Sequence, residues 1–168
     1  MVAQIVSGIE ASIGRPQSPA DSNERIAGAV EKLKVPVSSM AIWGWVPGVY
    51  VLTGIPPATR DAIGHFVISK GPLQGYFRKR FVNDLRSKVP DLFIDAVAPG
   101  AFMWYWTQSD GYESDDELRS FVDANYVLVA ELSFKVGTKV VAKPVRFFAR
   151  RGLPAPDANK LGPTSPRP

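Results

Sequence analysis

The sequence has no cysteine and a single histidine, His65. Without thiols there is no disulfide framework, no cysteine nucleophile and no Cys/His zinc site, and the redox compartment is left open. A run of residues able to cross a bilayer is missing too. Val35 to Thr59 carries no formal charge over 25 residues, long enough by count. However, Pro36, Pro47, Pro56 and Pro57, with Gly44, Gly48 and Gly54, would break a helix where its backbone groups could find no water. Met1 to Ile13 lacks a basic leader and contains Glu10, so no secretory signal is expected there. A broad basic face is the third absence. The net charge is +4, but residues 135–168 hold eight Lys/Arg against Asp157 alone, whereas the other 134 residues hold 12 basic and 15 acidic side chains, a net of −3. That distribution argues against nucleic acid as a partner.

What is present suits one core. A chain of 168 residues, 45% hydrophobic and 21% charged, buries roughly 70% of the surface of its unfolded form and needs neither staples nor metal. Residues 1–22 read as an N-terminal linker, ending in the turn material Gly14 to Ser22. Residues 23–151 read as an α/β domain, and residues 152–168, with five prolines in 17 positions, as a disordered tail.

Inside the domain the periodicities alternate. Ile26, Ala29, Val30 and Leu33 form one apolar stripe on a helix over 23–34, with Asp21 or Ser22 as its cap. Val37 to Trp45 reads as a buried strand, and Pro47 to Thr53 as a short helix ended by Gly54. Phe77, Phe81 and Leu85 mark an amphipathic helix over 76–88, closed by Pro90, and Leu92 to Val97 a second strand. Ser114-Asp-Asp-Glu117 has the form of a capping box opening a helix to Asn125. Val127 to Phe134 and Val140 to Ala149 read as strands joined at Gly137, with Pro144 placing the last one at an edge. The fold class expected from this order is α/β: a small, mainly parallel sheet with helices on both faces, Rossmann-like and three-layered, with an antiparallel edge strand at the C-terminus.

Each chemical signature has a plainer counterpart. Gly44-Trp-Val-Pro-Gly48 sits between a strand and a helix, yet matches neither the dinucleotide fingerprint nor the phosphate-binding loop, and a tight turn suffices. His65 stands alone. Asp61 and Asp95 are a conceivable carboxylate pair that the sequence does not bring together. The basic helix over 76–88 suits either anionic lipid head groups, a diphosphate or plain solvent. Asp110 to Glu117 lacks the spacing of a calcium loop, and its acids suit a helix N-terminus. No catalytic residue, metal ligand or cofactor is assigned. One constellation is less ordinary. Trp43, Trp45, Trp104 and Trp106 all fall at or just beyond the C-terminal ends of the first two expected strands, with Tyr50, Phe102 and Tyr105 close by. In an open α/β sheet that edge is where ligands bind, and aromatic faces there either cap the core or form a contact surface.

Three strings carry a resemblance. Ala41-Ile-Trp-Gly-Trp-Val-Pro-Gly-Val-Tyr50, Thr53-Gly-Ile-Pro-Pro-Ala-Thr-Arg60, and Phe81-Val-Asn-Asp-Leu85 running into Pro90-Asp-Leu-Phe-Ile-Asp95 resemble the region after the last membrane helix in bacterial glycosyltransferases of family 39 and their relatives. Glu117 to Val129 and Val145 to Arg151 resemble the close of that region, so the similarity covers about residues 24–151. Those are polytopic enzymes that take a sugar from a polyprenyl-phosphate donor. Their catalytic carboxylate lies in a loop near the start of the membrane domain, and this chain holds neither that loop nor a spanning helix. The resemblance therefore implies an extracytoplasmic accessory domain, not catalytic by itself, at the outer face of a bacterial inner membrane. Its implied partners are the membrane-embedded core and a polyprenyl-phosphate sugar or acceptor glycan, and its candidate contact residues are Trp45, Tyr50, Arg60, Trp104 and Trp106. The alternative is a free-standing α/β module that binds a nucleotide or sugar phosphate at the strand ends.

Overall fold

The computed structural model describes residues 19–98, 110–136, 139–140 and 143–153. The expected linker up to residue 18, the Pro-rich tail from 154, the turn at Gly137, and Trp104 and Trp106 with Phe102 and Tyr105 lie outside the described residues.

Among the described residues, six helical and six extended segments follow one another in an order close to the expected one, with the strands gathered toward the C-terminus. Helix α1, Pro19–Lys32, begins at a proline, whose missing N–H costs nothing in a first turn. Asp21 and Ser22 are therefore inside the helix rather than capping it. Strand β1, Met40–Trp43, leads to α2, Gly48–Thr53, which Gly54 closes in the left-handed conformation at φ 67°. Then come α3, His65–Ile68, and α4, Gln74–Lys88. Helix α4 ends on Val89 at φ 39°, whose N–H donates to the Leu85 carbonyl at 2.8 Å. Strand β2 is Leu92–Asp95, and a 3-10 turn, Tyr112–Ser114, precedes α5, Asp116–Asn125. The cap of α5 is Asp115, which accepts from the Leu118 N–H at 3.0 Å, one position beyond the expected Ser114. Strand β3, Tyr126–Leu132, a ribbon of β4, Lys135–Val136, with β5, Lys139–Val140, and β6, Val145–Arg150, complete the order.

The main sheet is mixed, in the order β1-β2-β6-β3. Only β1 and β2 are parallel; β6 runs antiparallel to both β2 and β3. The expected mainly parallel, Rossmann-like sheet is thus corrected to a mixed one in which antiparallel pairings predominate. The expected C-terminal edge strand is corrected as well, since β6 is central and β1 and β3 form the edges. Pro144 does not oppose this, because it lies just ahead of Val145, where β6 begins, and so removes no donor from the ladder.

Alternation along the strands divides the interior in two. Met40, Ile42, Leu92, Ile94, Val145 and Phe147 pack with Ile26, Ala29, Val30, Val49 and Tyr50 of α1 and α2. Ala41, Trp43, Phe93 and Phe148 pack with Phe81, Val82 and Leu85 of α4 and Leu118 and Val122 of α5. Every residue of β1 and β2 is buried as a result. Edge strand β3 carries an irregularity between Leu128 and Ala130 that shifts its register, and Val127 and Leu128 stay exposed while Ala130 and Leu132 turn inward. Among the described residues no helix is long and apolar enough to cross a membrane.

Candidate functional site

The C-terminal ends of the parallel strands lie side by side, Trp43 opposite Asp95, with the Ala96 N–H donating to the Trp43 carbonyl at 2.8 Å. The chain then turns at Gly44, whose φ of 151° suits glycine and whose added Cβ would stand 2.8 Å from that of Ala96. Gly64 closes against the same turn. Its N–H donates to the Gly44 carbonyl at 3.0 Å, and a Cβ there would sit 2.2 Å from that oxygen. The glycines of this loop serve close packing of backbone on backbone, which is the tight-turn reading.

The two tryptophans of the turn part company. Trp43, 1% exposed, points into the core with its edge on Phe81 at 5.4 Å, and its indole N–H donates to the Asp110 carbonyl at 2.8 Å. Trp45 is 41% exposed and lies 5.3 Å from the His65 ring. From there an aromatic row continues to Phe66 at 5.3 Å, to Phe77 stacked on Phe66 at 5.1 Å, and to Tyr76 at 5.4 Å. Phe66 and Tyr76 are exposed, and the Arg80 guanidinium covers the rings of Tyr76 and Phe77 at 5.3 and 4.9 Å. His65 belongs to this row, with Nδ1 3.3 Å from the Ser69 hydroxyl. In the sequence only Trp45 marked the surface; the rest became neighbours when α3 folded onto the start of α4.

Tyr50 is corrected from surface to core. Its ring is buried, and its hydroxyl accepts from the Ile42 N–H at 3.1 Å across the α2 to β1 boundary. Burial pushes its pKa far above the ordinary value. Arg60, a candidate contact residue, forms an internal ion pair instead: Nη2 and Nε donate to Asp84 at 2.8 and 3.1 Å, and the Arg60 backbone N–H adds a third bond at 2.9 Å. Burial works to raise the Asp84 carboxyl, but the Arg60 hydrogen bonds prevail and hold it below its ordinary value. The outer side of Arg60 lines an open cavity of about 210 Å³ with Tyr76, Lys79, Arg80 and Asn83. Arg80 is clamped on Asp61 at 2.5 Å, while Lys79 has no ion-pair partner among the described residues.

A buried ionic cluster at the end of β2 was not foreseen. Asp95 is fully enclosed; Arg146 Nη2 donates to it at 2.6 Å, Lys143 Nζ lies 3.7 Å away, and Glu113 binds both cations from the other side. The Arg146 guanidinium also covers Tyr112 and Phe148, at 5.0 and 5.6 Å. The two acids respond in opposite directions. Burial pushes Asp95 above the ordinary carboxylate range, and Lys143 and Arg146 recover only part of that. Burial is also the largest single influence on Glu113, but there the Arg146 hydrogen bond, a backbone hydrogen bond and the charges of Arg146 and Lys143 together outweigh it and hold the carboxyl low. Asp61 and Asp95 do not form a carboxylate pair, since each is bound to its own arginine. The signal for the cluster lay in Val145-Arg-Phe-Phe-Ala-Arg150, where a cation interrupts an otherwise buried strand.

At the opposite end of the sheet Asp91 accepts from the Ser38 N–H at 2.9 Å and from Arg150 at 2.8 Å, tying β2 to the segment before β1 and to β6. Among the described residues no group of three or more His, Asp or Glu side chains is placed to hold a metal. The buried carboxylates Asp84, Asp91 and Asp95 are engaged with cations and backbone donors, an arrangement that fixes loops and leaves the aromatic row as the most exposed organised feature. Comparison with family models, with curated proteins and with solved structures finds no match to this chain.

Proposed function

We propose that the chain is an accessory domain of a membrane glycosyltransferase, without catalysis of its own, placed on the extracytoplasmic face of a bacterial inner membrane against the membrane-embedded core. The resemblance of Ala41 to Arg60 and of Phe81 to Asp95 to the soluble end of such enzymes motivates the class. The observation that carries the role is the aromatic row from Trp45 to Tyr76, five rings in sequence at 5.1 to 5.4 Å, three of them on exposed residues. A free domain gains nothing by exposing large stacked rings, whereas a surface that meets a larger body does. A polyprenyl-phosphate sugar or acceptor glycan would pass along the same side. The alternative, a nucleotide or sugar-phosphate site at the strand ends, is less well served, because Gly44 packs closely on Ala96 and Gly64 on Gly44 at that edge.

The test uses a full-length parent that joins this domain to its membrane portion. With Trp45, Phe66 and Tyr76 all changed to alanine, sugar transfer in membranes should fall at least tenfold while the domain stays folded. Unimpaired transfer, with these changes or with the domain deleted, would refute the role.

A further inference from the structure

We infer that the α3–α4 end of the aromatic row is a docking surface for an anionic lipid bilayer. This deepens the accessory role by naming what one end of the row touches, and it concerns a surface the isolated chain carries by itself. From Ala62 to Asn83 the sequence contains Lys70, Arg78, Lys79 and Arg80 and not one acid. The same segment exposes Ile63 at 43%, Phe66 at 54%, Leu73 at 60% and Tyr76 at 61%. Large apolar side chains at a helix start and its preceding turn, rimmed by cations, have the composition of elements that lie at a membrane interface, with rings and aliphatic tips among the acyl chains and ammonium or guanidinium groups at the head groups.

The acids packed near the surface are accounted for. Asp61 is held by Arg80 and Asp84 by Arg60. Counting Arg60, Lys70, Lys79 and Arg80 against Asp61 and Asp84 leaves a local charge of +2, carried by the two lysines, while the remaining charges of the described residues, 13 basic and 12 acidic, nearly cancel. That charge complements a negative bilayer surface and gives no reason to prefer a neutral one. Arg78 is spent inside, its Nε donating to the Val67 carbonyl at 2.9 Å. A nucleic acid would use the cations but has no use for the exposed Leu73 and Phe66.

The experiment takes the whole 168-residue chain and sediments it with vesicles of phosphatidylcholine alone or mixed with phosphatidylglycerol. Binding is expected to the mixed vesicles only, weakening as salt is raised. Lys70→Gln and Lys79→Gln should each lower the partition about fivefold. Leu73→Asp should abolish it with an unchanged melting temperature, whereas Val51→Asp, on α2 at the opposite face of the sheet and more exposed still at 83%, should leave it unaltered. Equal binding to both vesicles, binding to neither, or indifference to Leu73→Asp would overturn the inference, as would retention on DNA that survives Leu73→Asp in place of vesicle binding. Transfer by the full-length parent is read separately: vesicle binding intact with transfer unimpaired by the alanine changes refutes the accessory role alone, and vesicle binding absent with transfer dependent on Trp45 refutes the bilayer alone.

Discussion

Asp95 and Arg146 face each other as register partners across β2 and β6, and the guanidinium donates to the enclosed carboxylate at 2.6 Å. An ion pair at the end of a sheet fixes the strands' alignment, because the enclosed Asp95 carboxylate can reach a cation only if β6 holds this register. Removing one member is costlier than the pair is worth, since the survivor stays buried. Arg146→Met should destabilise the domain by about 3 to 5 kcal/mol, read as a lowered urea midpoint, with Arg146→Lys falling between it and the parent. A midpoint within experimental error of the parent would show that Lys143 alone satisfies Asp95.

The same carboxyl sets a slope in pH. Its folded value lies above the ordinary 3.8, so the folded state binds that proton more tightly than the unfolded chain does. Stability from this group is therefore greatest below 3.8 and falls as pH rises through its folded value. Asp84, Asp91 and Glu113, held low, act in the opposite sense: their stabilisation is present above their ordinary values and lost on acidification. Asp95→Asn should remove the decline on the less acidic side and leave the acid limb in place, as measured by denaturation midpoints across pH.

Gly64 has a neighbour where a methyl group would go, 2.2 Å from a backbone oxygen that cannot swing aside. Gly64→Ala should cost about 1 to 3 kcal/mol through displaced backbone. Gly71→Ala, in open space on the following turn, provides the control and should stay near zero.

The hydroxyl of Tyr50 serves a buried strand amide. Tyr50→Phe keeps the ring and orphans the Ile42 N–H, for an expected loss of about 1 to 3 kcal/mol. Sugar transfer by a full-length parent should be unaffected apart from that loss, which separates Tyr50 from the exposed row.

Val89 carries a β-branched side chain in the left-handed region, at φ 39°, a conformation that costs an L-residue about 1 to 2 kcal/mol. Val89→Gly should raise the denaturation midpoint despite the lost side chain, and Val89→Ile should not.

The sequence by itself determined where chain direction changes and which faces are apolar. The stripe Ile26, Ala29, Val30 made α1, the Phe77, Phe81, Leu85 spacing made α4, and short branched runs made β1 and β2, because these periods arise from local geometry. The exposed position of Trp45 was also among the readings open from the residues alone. Tertiary structure decided the remainder. Whether β6 inserts beside β2 or takes an edge depends on pairing over some fifty residues of intervening chain, which no local signal encodes. Tyr50 turned inward because its hydroxyl met the Ile42 amide. Asp95 acquired its raised proton affinity from burial, which Lys143 and Arg146, brought in from a distant segment, offset only in part. The aromatic row joined Trp45 to Tyr76 only when α3 packed on α4, since ring contacts require proximity in space and the sequence supplies only the rings.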